Sequence, residues 1–335
     1  MENTTKLKQL IKPLADYNSH SRIHKLKTIG TEALECYVKR DDELSFGISG
    51  SKLRKYLSLI PFLLSKKIEQ AVLIGGCQSN NILSLGQLLL ENGIEPQLFL
   101  LGNPDHALEG NFLLTRLMLP EANFHWLNRK DWPEVEKLAQ NYCQTISPRR
   151  SYLIPEGACI SAALPGAMTL ALDIIQNEQD HGLWFQHIFM DSGTGLMAIA
   201  TALVLSWLKR EITVHVLLLA EDSAAFLTRL NVFKLEFERL IQVTLSMEEI
   251  LKRLKLYKPS QAKAFGSVNQ AIFSSIKTLF QQEGFLTDPI YSAKLFAEVP
   301  RIIAEQQLSG KGLIIHSGGG LSLLKFQSQL AKQLA

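Results

Sequence analysis

The strongest constraint on this chain is the return of short apolar, β-branched runs between longer stretches of helical periodicity. Such runs occupy 71–74, 97–101, 152–154, 187–190, 213–219 and 312–315. Each is short enough to read as a strand, and strands that alternate with helices argue for a parallel α/β architecture. Three of the runs end in small residues followed by a helical pattern. They read Ile74-Gly75-Gly76, Met190-Asp191-Ser192-Gly193-Thr194-Gly195 and Ile315-His316-Ser317-Gly318-Gly319-Gly320. Open parallel sheets bind ligands beyond the carboxyl ends of their strands, so these three ends are candidate walls of one site.

A length of 335 residues exceeds what one simple core usually serves, so two lobes or one large layered unit are expected. No apolar run approaches the ~18 residues that a membrane span requires. The segment Met1 to Lys12 lacks the pattern of a secretory signal, which predicts a cytoplasmic location. Cys36, Cys77, Cys143 and Cys159 are far apart and form no Cys-x-x-Cys pair. They read as small apolar fillers in a reducing compartment, with no metal site implied. The net charge of +3, carried by scattered lysines, favours a small-molecule partner over nucleic acid or membrane. The stretch 221–282 reads as the densest polar, helical region, and Pro165-Gly166 and Ser49-Gly50 read as the joints.

Five segments carry candidate chemistry. Lys39-Arg40-Asp41-Asp42 leads to Ser49-Gly50-Ser51-Lys52, a small-residue turn that delivers a lysine to a helix start. Desolvation and the positive end of the helix would help an amine there lose its proton and form a Schiff base. Gly75-Gly76-Cys77-Gln78-Ser79-Asn80-Asn81 follows a strand and opens a helix, where free amides could hold a substrate carboxylate. Ser192-Gly193-Thr194-Gly195 could cradle a phosphate on its backbone amides, and its continuation as Leu196-Met197-Ala198 departs from the dinucleotide fingerprint. Asp288-Pro289-Ile290-Tyr291-Ser292 and His316-Ser317-Gly318-Gly319 each set a hydroxyl beside a turn. Singly, these segments read equally well as a surface lysine, a helix cap or a strand-end histidine.

In this order the segments resemble the family of 1-aminocyclopropane-1-carboxylate deaminase and D-cysteine desulfhydrase, within the tryptophan-synthase-β-like group of pyridoxal-phosphate enzymes. Ile154-Pro155-Glu156-Gly157 belongs to the same set. The resemblance implies a two-lobed α/β fold of type II with open, mostly parallel sheets. A large cofactor-binding domain would comprise residues 1–53 and 166–335, with a small α/β domain over 54–165, and the assembly would be a homodimer. It implies Lys52 as the lysine that carries pyridoxal 5'-phosphate, with Ser79 and Asn80 beside substrate and cofactor. Gly193, Thr194, Gly195 and Leu196 would hold the phosphate. Ser317, with Ser292 close by, would meet the pyridine nitrogen, and Tyr291 would line the substrate side. Lys52 or Ser79 would handle the Cα proton of a small amino-acid substrate.

The cyclopropane deaminases of this family are expected to carry a glutamate where this chain has Ser292. That substitution favours D-cysteine β-elimination, to pyruvate, sulfide and ammonia, over ring opening to 2-oxobutyrate and ammonia. Ser51, Phe265, Met197 and Ala158-Cys159-Ile160 depart from the family pattern, Phe265 by loss of a tyrosine hydroxyl. Because these departures cluster on the substrate side, a pyridoxal-phosphate-binding protein with little catalysis is a competing expectation. A nicotinamide-dependent dehydrogenase rests on the glycine loop alone.

Overall fold

The computed structural model describes residues 17–334 apart from 106, 147 and 148, together with residue 7. The rest of the Met1 to Lys12 segment therefore lies outside the described residues. In chain order the strands are β1 (Ile23–Gly30), β2 (Leu34–Lys39), β3 (Gln70–Gly76), β4 (Glu95–Leu101), β5 (Phe124–Leu127), β6 (Ser151–Ile154), β7 (His187–Ser192), β8 (Thr213–Leu218), β9 (Leu254–Tyr257) and β10 (Gly310–Ile315). They form a six-stranded sheet in the order β1-β2-β10-β7-β8-β9 and a four-stranded sheet in the order β5-β4-β3-β6. Every pairing is parallel except that of β1 with β2.

The strand interiors explain this arrangement. Residues Gln70 to Ile74 of β3 are all buried, as is typical of a strand covered on both faces by crossover helices. In the large sheet the connection from β7 proceeds to β8 on one side while β10 packs on the other. In the small sheet β3 connects to β4 on one side and pairs with β6 on the other. Both sheets thus reverse direction beside a strand that ends in small residues, the position at which open α/β sheets form crevices.

Every run expected as a strand is one. The sequence reading missed β1, β2, β5 and β9, and the 221–282 stretch needs correction. It holds the helices Ser223–Ile241 and Met247–Lys252, but also β9 and an irregular segment over 258–269. The polar face of Leu254-Lys255-Leu256-Tyr257, an edge strand paired only with β8, hides it in a charged neighbourhood. Pro165-Gly166 stands between β6, in the small sheet, and β7, in the large one. It lies in the first turn of the Leu164–His181 helix, where a Cβ on Gly166 would come within 2.0 Å of the Arg54 carbonyl oxygen. Among the described residues no helix is long and apolar enough to cross a membrane.

The helix Lys52–Ser65 links the two sheets, and a buried ionic network fixes its start. Arg54, fully buried, donates to both carboxylate oxygens of Asp41 at 2.7 Å and to Asp173 of the Leu164–His181 helix at 2.7 Å. Lys39, at the end of β2, reaches Asp173 at 2.6 Å and Asn177 at 2.5 Å. The Lys39-Arg40-Asp41-Asp42 motif is therefore a clamp: two of its members hold the helix that begins at Lys52, and Arg40 pairs with Asp42 at 2.7 Å.

Candidate active site

The carboxyl ends of β3, β7 and β10 open on one cavity of about 430 Å³, lined among others by Lys52, Lys55, Ser79, Asn80, Asp191, Thr194, Tyr291 and Ser317. It lies at the topological switch points described above. The three strand ends read from the sequence as one site are brought together.

Lys52 opens its helix and is half-buried, facing the cavity with its Nζ 5.9 Å from the centre of the Tyr291 ring. Desolvation holds its amine below the ordinary lysine range, although Asp191 and Asp288 favour the charged form. The turn before it is anchored to the β10 loop, because the Ser51 amide donates to the Ser317 carbonyl at 3.0 Å. Three residues on, Lys55 is almost fully buried and donates to the Gly157 carbonyl. Burial, reinforced by the neighbouring Lys52 charge, pushes its amine down to about 7. Lys55 has no sequence signal of its own beyond its spacing from Lys52.

The Gly193 loop is built for close approach. A Cβ on Gly193 would lie 3.3 Å from the Tyr291 ring, and one on Gly157 would strike Thr194 at 2.6 Å. Gly195 takes φ +81° to enter the Leu196–Trp207 helix, and no side chain caps that helix start. The Ser192 hydroxyl is buried without a hydrogen-bond partner. Uncapped amides at a helix N-terminus, a nearby lysine and an unmatched hydroxyl suit an anion. The loop is braced from behind by Arg229, which donates to the Thr194 carbonyl at 2.9 Å.

Ser79 is part cap and part open donor, and Asn80 is oriented by a neighbouring carboxamide. Ser79 Oγ caps the Asn80–Glu91 helix by accepting from the amides of Asn81 at 3.2 Å and Ile82 at 3.4 Å. Both bonds use its oxygen as acceptor, so its hydrogen remains available to the cavity. Asn80 Oδ1 accepts from Asn111 Nδ2 at 2.6 Å, which fixes the carboxamide with its Nδ2 facing Gly319. The capping reading is realised at Ser79, and both side chains line the cavity.

The pyridine-side pair divides. Ser317 lines the cavity, whereas the Ser292 hydroxyl is buried and bonded to Asp288 Oδ1 at 2.8 Å while accepting from the Asp288 amide at 2.8 Å. Ser292 closes the Asp288 turn and does not line the cavity. In its place stands a group the motif analysis quoted but did not single out. Asp191, the penultimate residue of β7, lines the cavity with its Oδ1 unmatched. Burial raises its carboxyl to about 6, against the opposing influence of the Ser317 hydroxyl and Lys52. The signal that could have found it was an acidic residue ending an otherwise apolar strand.

Tyr291 is held by the backbone of its own turn, its amide donating to Asp288 at 3.1 Å. Burial, then the acidic neighbours Asp288, Asp191 and Glu156, push its phenol above the ordinary tyrosine range, so it stays protonated. Phe265 stands 6.1 Å away in edge-to-face contact, on the cavity wall. His316, fully buried, donates from Nε2 to the Leu286 carbonyl at 2.7 Å and is structural.

The architecture is that of the fold-type II pyridoxal-phosphate enzymes. A crystal structure of an ACC deaminase homologue superposes with a TM-score of 0.88 over 99% of both chains at 24% identity. Threonine deaminase isoform 2 from Solanum lycopersicum superposes with a TM-score of 0.66 over 99% of this chain and 89% of that one at 14% identity. Among curated relatives, the D-cysteine desulfhydrase of Serratia proteamaculans is 26% identical over 302 residues, covering 88% of this chain and 90% of its own. A Pyrococcus furiosus protein provisionally named 1-aminocyclopropane-1-carboxylate deaminase is 24% identical over 287 residues, covering 85% of this chain and 84% of its own. No family model matches the chain. The resemblance read from the ordered motifs therefore extends over most of the chain at modest identity.

Proposed function

We propose that this chain is a pyridoxal-phosphate-dependent lyase that deaminates a small amino acid by β-elimination, with D-cysteine as the model substrate. The observation that carries this reading is the meeting of a desolvated lysine amine, an uncapped helix N-terminus and an unmatched carboxylate in one cavity. Held at Lys52, the cofactor would supply an electron sink for the charge left at Cα.

The chain's own groups supply the rest. The amides from Gly193 to Leu196, with the Lys55 cation behind Gly157, would hold the phosphate. Asn80 Nδ2 would donate to the phenolic oxygen. Ser317 and Asp191 would face the ring nitrogen, with Ser292 confined to shaping the Asp288 turn. The start of the Asn80–Glu91 helix would bind the substrate carboxylate, with Ser79 donating its free hydrogen. The Lys52 amine, which desolvation favours in its neutral form, would be the base that takes the Cα proton. Tyr291 offers a phenolic hydrogen on the substrate side. Loss of the β-thiol as sulfide, followed by hydrolysis of the released enamine by one water, would give pyruvate and ammonia.

A second reading, opening of 1-aminocyclopropane-1-carboxylate to 2-oxobutyrate and ammonia, is favoured by Asp191. Its carboxylate would do for the ring nitrogen what the family's glutamate is expected to do. The same proposal includes a homodimer and a cytoplasmic location, checked by sedimentation and by cell fractionation.

The test is a visible absorbance spectrum of purified protein with added cofactor, followed by D-cysteine and then the cyclopropane substrate, with keto acids identified. A cofactor band absent from Lys52→Ala, and pyruvate with sulfide from D-cysteine, are expected. A band indifferent to every amino acid would leave a cofactor-binding protein. No band at all would overturn the cofactor assignment.

A further inference from the structure

The wall of the cavity carries a cation that the chemistry above does not use. The 3-10 segment Gly320–Phe326 follows the β10 loop and contributes Ser322, Lys325 and Phe326 to the lining. Lys325 is half-buried and makes no ion pair or hydrogen bond with any other described residue; its Nζ lies 5.8 Å from the centre of the Phe326 ring. The other lysines on the wall are engaged: Lys55 by the Gly157 carbonyl, Lys52 by its assigned role.

Two further observations point to a ligand at Lys325. The Ser322 hydroxyl, on the same 3-10 segment and 7% exposed, is buried without a hydrogen-bond partner. An unmatched buried hydroxyl on a binding wall is unfavourable until something bonds to it. The second is the position of Lys325 beside Gln78, a residue of the turn assigned to the substrate carboxylate. Gly110 is wedged between the two: a Cβ there would lie 2.9 Å from Gln78 Oε1 and 2.9 Å from Lys325 Cβ. The Lys325 charge is also felt at Cys77, one residue before Gln78. Lys325 thus stands beside the turn that would receive an amino acid's α-carboxylate, with Ser322 on the same 3-10 segment of the cavity wall.

We infer that Lys325 and Ser322 form a second anion subsite, and that the preferred substrates are small amino acids whose side chain ends in an acidic group. A lysine without a carboxylate partner, on a wall of limited water access, gains from an anionic ligand what it lacks within the protein. Gln78 cannot supply that charge, and its carboxamide is already committed to the Glu109 carbonyl at 3.1 Å and to the Phe112 amide at 3.4 Å. The inference rests on the proposed function only for the orientation of the ligand.

The test uses probes that lack an amine and so do not depend on the cofactor's chemistry. Succinate and its monoamide, succinamate, are titrated calorimetrically against the full-length protein with saturating pyridoxal phosphate. The wild type should bind succinate about tenfold or more tightly than succinamate, the margin of one charge-assisted contact. Lys325→Met should erase that preference while leaving the succinamate affinity within about twofold, Lys325→Arg should retain it, and Ser322→Ala should reduce it several-fold. Equal affinities in the wild type, or a preference that survives Lys325→Met, overturns the inference. Equal weakening of both probes by Lys325→Met also overturns it, because Lys325 would then serve the α-carboxylate. Failure of the cofactor reading is seen separately, as a missing absorbance band.

Discussion

Gly50 sits directly on the carbonyl of Ser317. At φ +55° its missing side chain leaves room for that oxygen, which an added Cβ would approach to 2.2 Å. This contact and the Ser51 bond to the same carbonyl fix the start of the lysine helix relative to the end of β10. Gly50→Ala must therefore move one wall of the cavity. We expect a loss of about 3 kcal/mol of stability, read by denaturant unfolding, together with weaker cofactor absorbance at a given concentration of pyridoxal phosphate.

The Arg54 clamp predicts an acid limit. Burial opposes ionisation of Asp173, yet the Arg54 and Lys39 cations hold its carboxyl below the ordinary range. A depressed carboxylate stabilises the fold fully above the unfolded-state pKa, and that contribution is lost as pH falls through the lower, folded-state value. Stability should accordingly be insensitive to this group at neutral pH and decline in strong acid. Arg54→Met, which strands Asp41 and Asp173 without their partner, should lose about 3–5 kcal/mol at pH 7. Equilibrium unfolding at the two pH values checks both statements.

Asp191 predicts a spectroscopic transition. Its carboxyl, raised to about 6 mainly by burial, gains its charge as pH rises through that value. The band of the cofactor-loaded protein should shift over the same range, and Asp191→Asn should abolish the shift while keeping the band. A transition unchanged in Asp191→Asn assigns it to another group.

Phe265 is 58% exposed on the cavity rim, against Tyr291. Exposure makes its replacement nearly neutral for folding, within about 0.5 kcal/mol. Phe265→Tyr restores the hydroxyl expected from the family resemblance and should raise kcat at least about tenfold if that group assists proton transfer. Steady-state kinetics with a melting curve separates this from a change in stability.

What was legible in the sequence follows the physics of each signal. Buried parallel strands such as β3 and β7 announce themselves as apolar runs, and glycine loops at their ends mark the crevice. By contrast β2 alternates, with Glu35 and Tyr37 facing partly outward, and its neighbours 39–42 look like a surface charge cluster although Lys39 and Asp41 are fully buried. Their burial depends on Asp173 and Arg54, which are distant in sequence. Ser292 was misplaced for a related reason: adjacency to Tyr291 says nothing of direction, and the Asp288 turn points the two hydroxyls to different sides. Lys325 carried no motif at all, since its position on the wall follows from how the segment after β10 folds over Gly110.

The sources of the cavity wall have a last consequence. The Gly193 loop, Asp191 and Ser317 stand on one sheet, whereas Gln78, Ser79 and Asn80 extend from the other. Between them lies the helix that starts at Lys52. Variation along the smaller sheet can then reshape one half of the cavity while the other half, on the larger sheet, stays as it is, so that the two halves are free to diverge at different rates.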